Sequence, residues 1–335
     1  MTDQPLRVLW VTNMWPTEHS WQGIFVAELA DAMRRRSDVH IDVEIIVREG
    51  RGRSDYLKAN RRIRKMWREG NYDVVHAHYG LTAAATMTLP PGAPLVVTYH
   101  GQDINYRIPR LVSRIAGQRA KRRIFVADAL ADQWPSKRNR VLSCGVDFDL
   151  FAPGDQAAAR AALGLDPHRP YVLFGGAIDN PRKNYPLFQD VLKRVAEDVP
   201  DATELILAVD GQPRTAVAQR MLAADAFLFT SKPGREGAPT VFREALAAGL
   251  PIVSLDVGDA RDLLSDVRPG AVVDLPAGYT GDDGHPDSLV TELADRVVEV
   301  LKDRQRSDGR DHVDHLQWSR IAERTVEIYR EALTA

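Results

Sequence analysis

Short apolar runs rich in β-branched residues alternate with longer amphipathic stretches along the whole chain. The runs are apolar at nearly every position, as in parallel strands that are buried on both faces. Candidate strands are 7–12, 41–47, 74–77, 95–99 and 124–127 in the first half, and 171–174, 204–209, 226–229 and 252–254 in the second. Between the first two strands, Phe25, Val26, Leu29 and Met33 recur at helical spacing. The pattern predicts an α/β fold with two Rossmann-like domains, each a parallel sheet covered by helices.

The length of 335 residues is about twice that of one typical domain. The stretch 147–170 is rich in proline and glycine, which favours a linker. We therefore predict a first domain over 1–165, a second over 166–316, and a final helix over 317–335 that is able to cross back to the first domain. Two doubly wound domains are expected to face each other across a cleft where ligands bind.

Charge and cysteine content exclude several classes of protein. The 44 basic and 46 acidic side chains give a formal net charge of -2, which disfavours a nucleic-acid-binding protein. Cys144 is the single cysteine, so a disulfide framework and a cysteine-based zinc site are excluded. There is no signal-peptide pattern and no apolar run of about eighteen residues, so we expect a cytoplasmic protein.

The two halves of the chain differ in charge. Residues 1–150 hold 23 Lys and Arg and 16 Asp and Glu, a net charge of +7, whereas the remainder holds 21 and 30, a net charge of -9. Basic residues with interleaved apolar ones cluster at 58–68 and 107–123, and in the second cluster Ile108, Leu111, Val112 and Ile115 form a helical apolar stripe. This pattern indicates either peripheral contact with an anionic membrane surface or an ordinary solvated helix face.

The familiar phosphate-binding fingerprints are missing. No G-x-G-x-x-G follows the first strand, and no G-x-x-x-x-G-K-[ST] occurs, which argues against a nicotinamide dehydrogenase and a P-loop NTPase. Gly23, before the first helix, still permits a phosphate to approach the backbone, although for this residue taken alone a plain turn is the favoured interpretation.

The most informative stretch runs from Arg235 to Pro251. Gly237 and Pro239 mark a loop that turns into a helix, with Pro239 suited to the first helical position. Glu244 lies among apolar residues two turns along, where a carboxylate needs hydrogen-bond donors. Those donors are either the vicinal hydroxyls of a ribose or an arginine, for which Arg243 and Arg261 are candidates.

The spacing Glu236-x7-Glu244 followed by Ala-x-Gly-x-Pro resembles the donor-site signature of glycosyltransferase family 4, which are retaining enzymes with the GT-B fold. The similarity covers most of the chain. Within the family, the sequence most resembles the teichuronic-acid-type subgroup, in which a similar Val-Gly-Asp turn occurs. The other motifs that resemble the family are QGIF at 22–25, HAH at 76–78, YHGQD at 99–103, GVD at 145–147 and DVGD at 256–259.

The resemblance implies a nucleotide diphosphate sugar as co-substrate, a hydroxyl acceptor, and neither a cofactor nor a metal. It implies that Lys183 stabilises the departing diphosphate and that Glu236 and His100 contact the transferred sugar; these three are the predicted catalytic residues. Glu244 would bind the ribose. The remaining predicted donor-binding residues are Gly23, Arg182, Gly237, Ala238, Pro239 and Thr240.

The sequence departs from the family pattern at the phosphate clamp. Ala177 occupies the position, six residues before Lys183, where the family commonly has an arginine, and Asn184 replaces a common glycine. Arg182 is a candidate substitute for the missing arginine.

On the acceptor side we single out His78 and Asp103, the latter either a helix cap or an acceptor contact. His76 and His78 point to the same side of a regular strand, but no third metal ligand has a convincing spacing. Two alternatives to a transferase stay open, namely a sugar-nucleotide epimerase on the same fold and a non-catalytic protein that binds nucleotide sugars.

Overall fold

The computed structural model describes residues 4–17, 22–46, 53–208 and 212–335. The chain forms two compact units. Unit 1 comprises Met1–Gly145 and Trp318–Ala335, and unit 2 comprises Val146–Gln317.

Unit 1 is built on a parallel sheet. Its elements are β1 (Leu6–Thr12), α1 (Ile24–Arg34), β2 (Val39–Ile45), α2 (Arg53–Gly70), β3 (Val74–His78), α3 (Gly80–Ala84), β4 (Leu95–Tyr99), α4 (Gln102–Asn105), α5 (Arg107–Gly117), β5 (Arg122–Phe125), α6 (Asp128–Ala131), β6 (Asn139–Val141) and the last helix, α14 (Trp318–Leu333). Within the described residues the six strands are ordered β2-β1-β3-β4-β5-β6. All of their pairings are parallel.

Unit 2 repeats this architecture. Its elements are α7 (Gln156–Ala162), β7 (Tyr171–Phe174), α8 (Tyr185–Asp198), β8 (Thr203–Ile206), α9 (Arg214–Ala223), β9 (Ala226–Phe229), α10 (Thr240–Ala247), β10 (Ile252–Leu255), α11 (Ala260–Leu264), β11 (Gly270–Val273), α12 (Asp287–Asp303), α13 (Gly309–His312) and a 3₁₀ turn, Asp314–Leu316. The five strands in the described part of the unit are parallel and ordered β11-β10-β9-β7-β8. The predicted α/β fold with two parallel sheets is confirmed.

The central strands are buried along their whole length, which is why they are apolar at nearly every position. Every residue of β3, β4, β7, β9 and β10 is buried. The aromatic core of unit 2 forms where Phe227 and Phe229 of β9 meet Phe242 of α10, with ring centroids 4.6–6.1 Å apart. These contacts fix α10, which carries Glu244, against the sheet.

The boundary between the units lies between Gly145 and Val146, twenty residues before the end of the predicted first domain at 165. The proline- and glycine-rich stretch that suggested a linker is packed into unit 2. Phe151 is fully buried, and Arg160 donates to Asp225 at 2.6 Å. Composition favours loops, but it does not show which body a loop packs on.

The last helix packs inside unit 1. The hydroxyl of Tyr329 accepts a hydrogen bond from Trp10 Nε1 at 2.9 Å and lies 2.7 Å from His76 Nδ1. The ring of Trp318 covers Gly145, where a Cβ atom would approach it to 2.4 Å. Among the described residues, no helix is both long enough and apolar enough to span a bilayer.

Candidate functional site

The candidate site of unit 2 lies at the carboxyl ends of the neighbouring strands β7 and β9, where the loops after the two strands lead to opposite sides of the sheet order. In the order β11-β10-β9-β7-β8, the chain runs from β7 to β8 on one side and then places β9 on the other side of β7. Such a switch in strand order opens a crevice at the carboxyl ends of the strands, where ligands of doubly wound sheets bind. Lys183 is in the loop after β7 and Glu236 in the loop after β9, so the fold brings both to this crevice.

Lys183 and Glu236 form an ion pair across the crevice. Lys183 Nζ lies 2.8 Å from Glu236 Oε1, and Ser231 Oγ donates to the same oxygen at 3.0 Å. The side chains of Lys183 and Glu236 are 17% and 13% exposed. Lys183 Nζ also lies 4.9 Å from the centre of the Phe229 ring. Gly176 leaves room for the lysine, because a Cβ atom there would lie 2.5 Å from Lys183 Cγ.

Glu244 has a different arginine partner from the two considered in the sequence. Arg214, the first residue of α9, donates from Nη2 to Glu244 Oε1 at 2.6 Å, and the Glu244 side chain is only 6% exposed. Arg243 instead forms a buried ion pair with Asp259. Arg261 instead pairs with Asp256 and Asp274. Neither of the two arginines considered from the sequence is therefore the observed partner of Glu244.

The loop between β9 and α10, residues 230–239, is fixed by Arg243 and by a glycine. Arg243 is fully buried and donates from Nη1 to Pro239 O at 3.0 Å. Gly258 packs against this loop with a positive φ of 62°, and a Cβ atom there would lie 2.8 Å from Gly237 O. Since α10 begins at Thr240, Pro239 is the N-cap residue rather than the first helical residue. Gly237 and Ala238 are half-buried beside the ion pair.

Arg182 is turned towards its own loop. Its backbone N–H and its Nε both donate to Asn180 Oδ1, at 3.2 and 3.4 Å. The neighbouring Asn184 adopts a left-handed φ of 53° at the N-cap position of α8, without a capping hydrogen bond from its side chain. Asparagine tolerates this conformation better than most residues, which explains how it can stand where the family has glycine.

In unit 1 the structure brings the predicted histidines together at the ends of β3 and β4. The ring centroids of His76 and His78 are 4.0 Å apart, and those of His78 and His100 are 5.9 Å apart and stacked. Phe25 of α1 lies 4.9 Å from His100. A cavity of about 30 Å³, room for about two water molecules, lies between His78, His100, Phe25, Cys144 and helix α14.

These histidines differ in their hydrogen bonding. His76 is bonded at both ring nitrogens, to Tyr329 and to Thr98 Oγ1, each at 2.7 Å. The ring nitrogens of His78 and His100 are buried and have no partner within the described part of the chain. Burial lowers the pKa of His76 and of His100 to about 3, and it lowers the pKa of His78 as well. The three rings are therefore neutral near pH 7, each with a nitrogen able to accept a hydrogen bond.

Asp103 joins the loops that carry His78 and His100. It is fully buried, and its carboxylate accepts backbone N–H groups from Gly80 at 2.9 Å, His100 at 3.0 Å and Gly101 at 2.9 Å. Burial raises the pKa of Asp103 to about 6, opposed by these backbone hydrogen bonds. The contacts are those of a carboxylate that positions the two loops, and its predicted acceptor-side role stays a prediction.

Strained backbone marks the same place. Tyr79, directly after His78, has a φ of 84°, which is rare for a bulky residue, and Gly101, directly after His100, has a φ of 116°. Gly23, the N-cap of α1, has a φ of 84° and a hypothetical Cβ atom only 2.3 Å from the backbone of Met14. Glycine adopts a positive φ readily, so the strain is at Tyr79, and strain of this kind accumulates at functional sites, where the surrounding structure holds it in place.

In the residues that the structure describes, no group of three or more His, Cys, Asp or Glu side chains is arranged to hold a metal ion. The prediction that the reaction needs no metal stays a prediction.

Sequence reasoning missed Arg214, Ser231 and Tyr329. Arg214 and Tyr329 contact site residues that are distant along the chain, so no local spacing shows them, whereas Ser231 lies only five residues before Glu236 in the same loop. Tyr329 had a weak signal, because it lies on the apolar stripe of the last helix.

Comparison with known proteins agrees with this architecture. A model of Glycosyltransferase Family 4 matches residues 22–150, and a model of Glycosyl transferases group 1 matches residues 206–308. Sucrose-phosphate synthase from Thermosynechococcus elongatus superposes with a TM-score of 0.75 at 18% identity, covering 98% of this chain and 99% of that one. Anabaena HepE in complex with UDP-glucose has a TM-score of 0.63 at 17% identity and covers 98% of each chain.

Three curated relatives extend the comparison. The D-inositol 3-phosphate glycosyltransferase of Mycobacteroides abscessus is 30% identical over 79% of this chain and 67% of its own length. The alpha-maltose-1-phosphate synthase of Mycolicibacterium smegmatis is 27% identical over 97% of this chain and 99% of its own length. The D-inositol 3-phosphate glycosyltransferase of Mycobacterium sp. (strain JLS) is 30% identical over 61% of this chain, and the chain spans only 56% of that relative.

Two parallel-sheet units of this topology, together with these structural likenesses, define the GT-B class of glycosyltransferase folds. The chain belongs to glycosyltransferase family 4. The family predicted from the motifs is thereby confirmed, while the teichuronic-acid-type subgroup stays a prediction.

Proposed function

We propose that the protein transfers a sugar, with retention of configuration, from a nucleotide diphosphate sugar to a hydroxyl group of an acceptor. The observation that carries this proposal is the pairing of Lys183 with Glu236 at the switch point of the unit 2 sheet. A cation there can stabilise a diphosphate that gains charge as it leaves, and a carboxylate can accept sugar hydroxyls. The curated relatives are transferases or synthases, which favours transfer over epimerisation.

In this proposal Glu244 accepts hydrogen bonds from the ribose hydroxyls while Arg214 holds its other side. The Arg214 contact matters because an unpaired carboxylate that is only 6% exposed would be costly. Arg214 uses Glu244 Oε1, so Glu244 Oε2 is the oxygen that we assign to the ribose.

Lys183 changes partners in the proposed reaction. The diphosphate carries more negative charge than one carboxylate and draws Nζ away from Glu236, which frees Glu236 Oε1 for a sugar hydroxyl. Gly237 and Ala238 then offer backbone N–H groups, and the N-terminus of α10, from Pro239 and Thr240, faces the anion with its positive dipole end. Gly23 and Arg182 keep their predicted phosphate contacts, and His100 its predicted contact with the sugar.

The transfer itself proceeds on one face of the sugar. The bond between the anomeric carbon and the diphosphate oxygen breaks, the acceptor oxygen bonds to that carbon from the same side, and the acceptor proton passes to the departing diphosphate. Glu236 is a donor-sugar contact in this scheme and forms no covalent intermediate. We further propose that no cofactor or metal is needed, so activity should persist in a chelator, and its loss there would contradict this point.

The first experiment is a panel of nucleotide sugars with release of nucleotide diphosphate as readout. UDP-glucose is tested first, because HepE is described in complex with it. We expect Lys183→Ala and Glu244→Ala each to weaken kcat/KM for the donor by ~1.5–3 kcal/mol, the scale of a lost hydrogen bond to a charged group. Lys193→Ala and Glu197→Ala, at exposed positions of α8, are the matched controls and should behave as wild type.

Unchanged donor kinetics in both site variants would falsify the assignment. Interconversion of the nucleotide sugar without an acceptor would indicate an epimerase. Tight donor binding without transfer or hydrolysis across an acceptor panel would indicate a binding protein, for which Ala177 in place of an arginine is the supporting feature.

We also propose peripheral contact with an anionic membrane surface. The support is the net charge of +7 over residues 1–150, against -9 over the rest. Sedimentation with anionic vesicles tests it, and a protein that stays in the supernatant at low salt would refute it.

A further inference from the structure

Helix α5 packs on its own unit with small side chains and exposes its large ones. Its buried residues are Ser113, Ala116 and Gly117. Gly117 lies so close to Tyr99 that a Cβ atom would approach the Tyr99 hydroxyl to 2.0 Å. This close packing fixes the helix and determines which of its faces points outward.

The outward face carries three large aliphatic side chains. Ile108, Leu111 and Ile115 are 79%, 63% and 51% exposed, and their i, i+3, i+7 spacing places them in one stripe. Helices of a soluble domain normally bury such a stripe and expose polar residues, so the arrangement in α5 is inverted. Scattered apolar residues are normal on a surface, but a contiguous stripe marks an interaction site.

Uncompensated positive charge flanks this stripe. Arg107 and Arg114 are exposed, and α5 contains no acidic residue. Arg114 donates to Gln133 O at 2.7 Å, and Arg110 to Ile104 O at 2.6 Å. Within the described residues, none of the three arginines forms an ion pair with a carboxylate, and the backbone carbonyls that accept from Arg110 and Arg114 orient these two guanidinium groups without neutralising them.

We infer that α5 is the membrane-docking helix of this protein: Ile108, Leu111 and Ile115 enter the boundary between headgroups and acyl chains, and Arg107 and Arg114 bind lipid phosphates. The inference deepens the membrane contact proposed above and rests on it. An apolar stripe bordered by cations matches an anionic bilayer, which presents phosphates above hydrocarbon.

A second copy of the chain fits this surface less well. An 11-residue helix is about 16 Å long, so its stripe alone provides far less than the roughly 800 Å² per partner of a stable interface. A two-fold axis through the stripe would also bring the arginines of both copies together. Charge and area therefore both favour the lipid surface.

The test compares vesicles of pure phosphatidylcholine with vesicles of equal parts phosphatidylcholine and phosphatidylglycerol, by co-sedimentation of the full chain at low salt. We expect wild type to bind only the anionic vesicles. We expect the triple variant Ile108→Ser, Leu111→Ser, Ile115→Ser to bind at least about tenfold more weakly, since each lost aliphatic contact weakens partitioning. Arg107→Gln with Arg114→Gln should weaken binding and flatten its dependence on salt.

The matched control replaces two exposed aliphatic residues elsewhere in unit 1, Val141 and Leu333, with serine. It should bind as wild type does, because those side chains share no stripe. Release of nucleotide diphosphate from a nucleotide sugar, measured without vesicles, should be unchanged in all variants and shows that they are folded.

Each other outcome is decisive. Wild type that binds no vesicle overturns the membrane contact itself, while transfer activity, measured separately, decides the proposed reaction. Anionic binding that survives in the triple variant overturns the assignment to α5 alone. Equal binding to both lipid compositions overturns the role of the arginines. If wild type binds no vesicle but forms a dimer in sedimentation velocity, and the triple variant does not, the proposal that α5 binds lipid is overturned. The stripe is then the contact surface for a second copy of the chain.

Discussion

Replacing Asp103 with alanine tests whether burial or hydrogen bonding dominates at the carboxylate that joins the two histidine loops. The side chain is fully buried and accepts three backbone N–H groups. Leaving three buried donors without an acceptor costs ~3–9 kcal/mol. Part of this is offset because the substitution also removes a poorly solvated charge.

The pKa gives the size of that offset. Burial raises the pKa of Asp103 from 3.8 to about 6, and each unit corresponds to about 1.4 kcal/mol, so the ionised form is disfavoured in the folded state by about 3 kcal/mol. We therefore expect Asp103→Ala to lower the free energy of unfolding by about 3 kcal/mol near neutral pH, the middle of the range of about 0–6 kcal/mol left after this offset.

The dependence on pH has a definite sign. The folded pKa lies above the unfolded one, so between about pH 4 and 6 the folded state binds more protons, and the contribution of Asp103 to stability rises as the pH falls. Alanine cannot bind that proton. The destabilisation by Asp103→Ala should therefore grow by up to about 3 kcal/mol between about pH 7 and pH 4.

Urea unfolding at the two pH values, followed by tryptophan fluorescence, measures this difference. Asp132→Ala, at an exposed position of the same unit, is the control and should stay within about 0.5 kcal/mol of wild type. A difference between wild type and Asp103→Ala that shrinks in acid would refute the reasoning, because it would show that the three N–H groups outweigh burial and hold the folded pKa below 3.8.

Three further substitutions test the packing of the sites by urea unfolding. Gly258→Ala should lower the free energy of unfolding by ~2–3 kcal/mol and raise the donor KM, because a positive φ and a close carbonyl oxygen both oppose a Cβ atom. The control Gly278→Ala, with a φ of 76° and nothing nearby, should cost only ~1 kcal/mol, and equal effects of the two substitutions would contradict the close approach at Gly258. Tyr329→Phe should cost ~1–3 kcal/mol, because it removes the hydroxyl bonded to His76 Nδ1 and to an indole N–H, and a neutral result would mean that this hydroxyl is dispensable. Arg243→Met should cost ~3–5 kcal/mol, since it leaves a carboxylate without its partner, and a stabilised variant would show that apolar packing outweighs the ion pair.

Local pattern was sufficient for most of the strands, although β6 and β11 were not among those predicted. The strand predicted over 171–174 is observed at Tyr171–Phe174, and the final helix predicted over 317–335 is observed at Trp318–Leu333. The strand predicted over 41–47 is observed at Val39–Ile45, and its last predicted residue lies outside the described residues. Apolar periodicity shows which side of a helix or strand faces water. This can be read from a few neighbouring residues, because it depends only on the local spacing of apolar side chains.

The site was only partly open to prediction. The spacing of Glu236 and Glu244 indicated two carboxylates near one helix N-terminus, because both belong to one continuous loop and helix. Their partners, Lys183 and Arg214, are 53 and 30 residues away from them along the chain, and nothing in the local sequence selects one basic residue over another.

The sequence by itself therefore determined the parallel sheets, the family and the residue types at the site, because backbone sterics and solvent exposure are local. Only the tertiary structure decided the partners of those residues and the boundary at Gly145, and it showed that Asp103 joins two loops and that α5 exposes its aliphatic stripe. These features depend on which loops the strand order brings together and on which helix face small residues allow to pack. Neither is encoded at any fixed spacing along the chain.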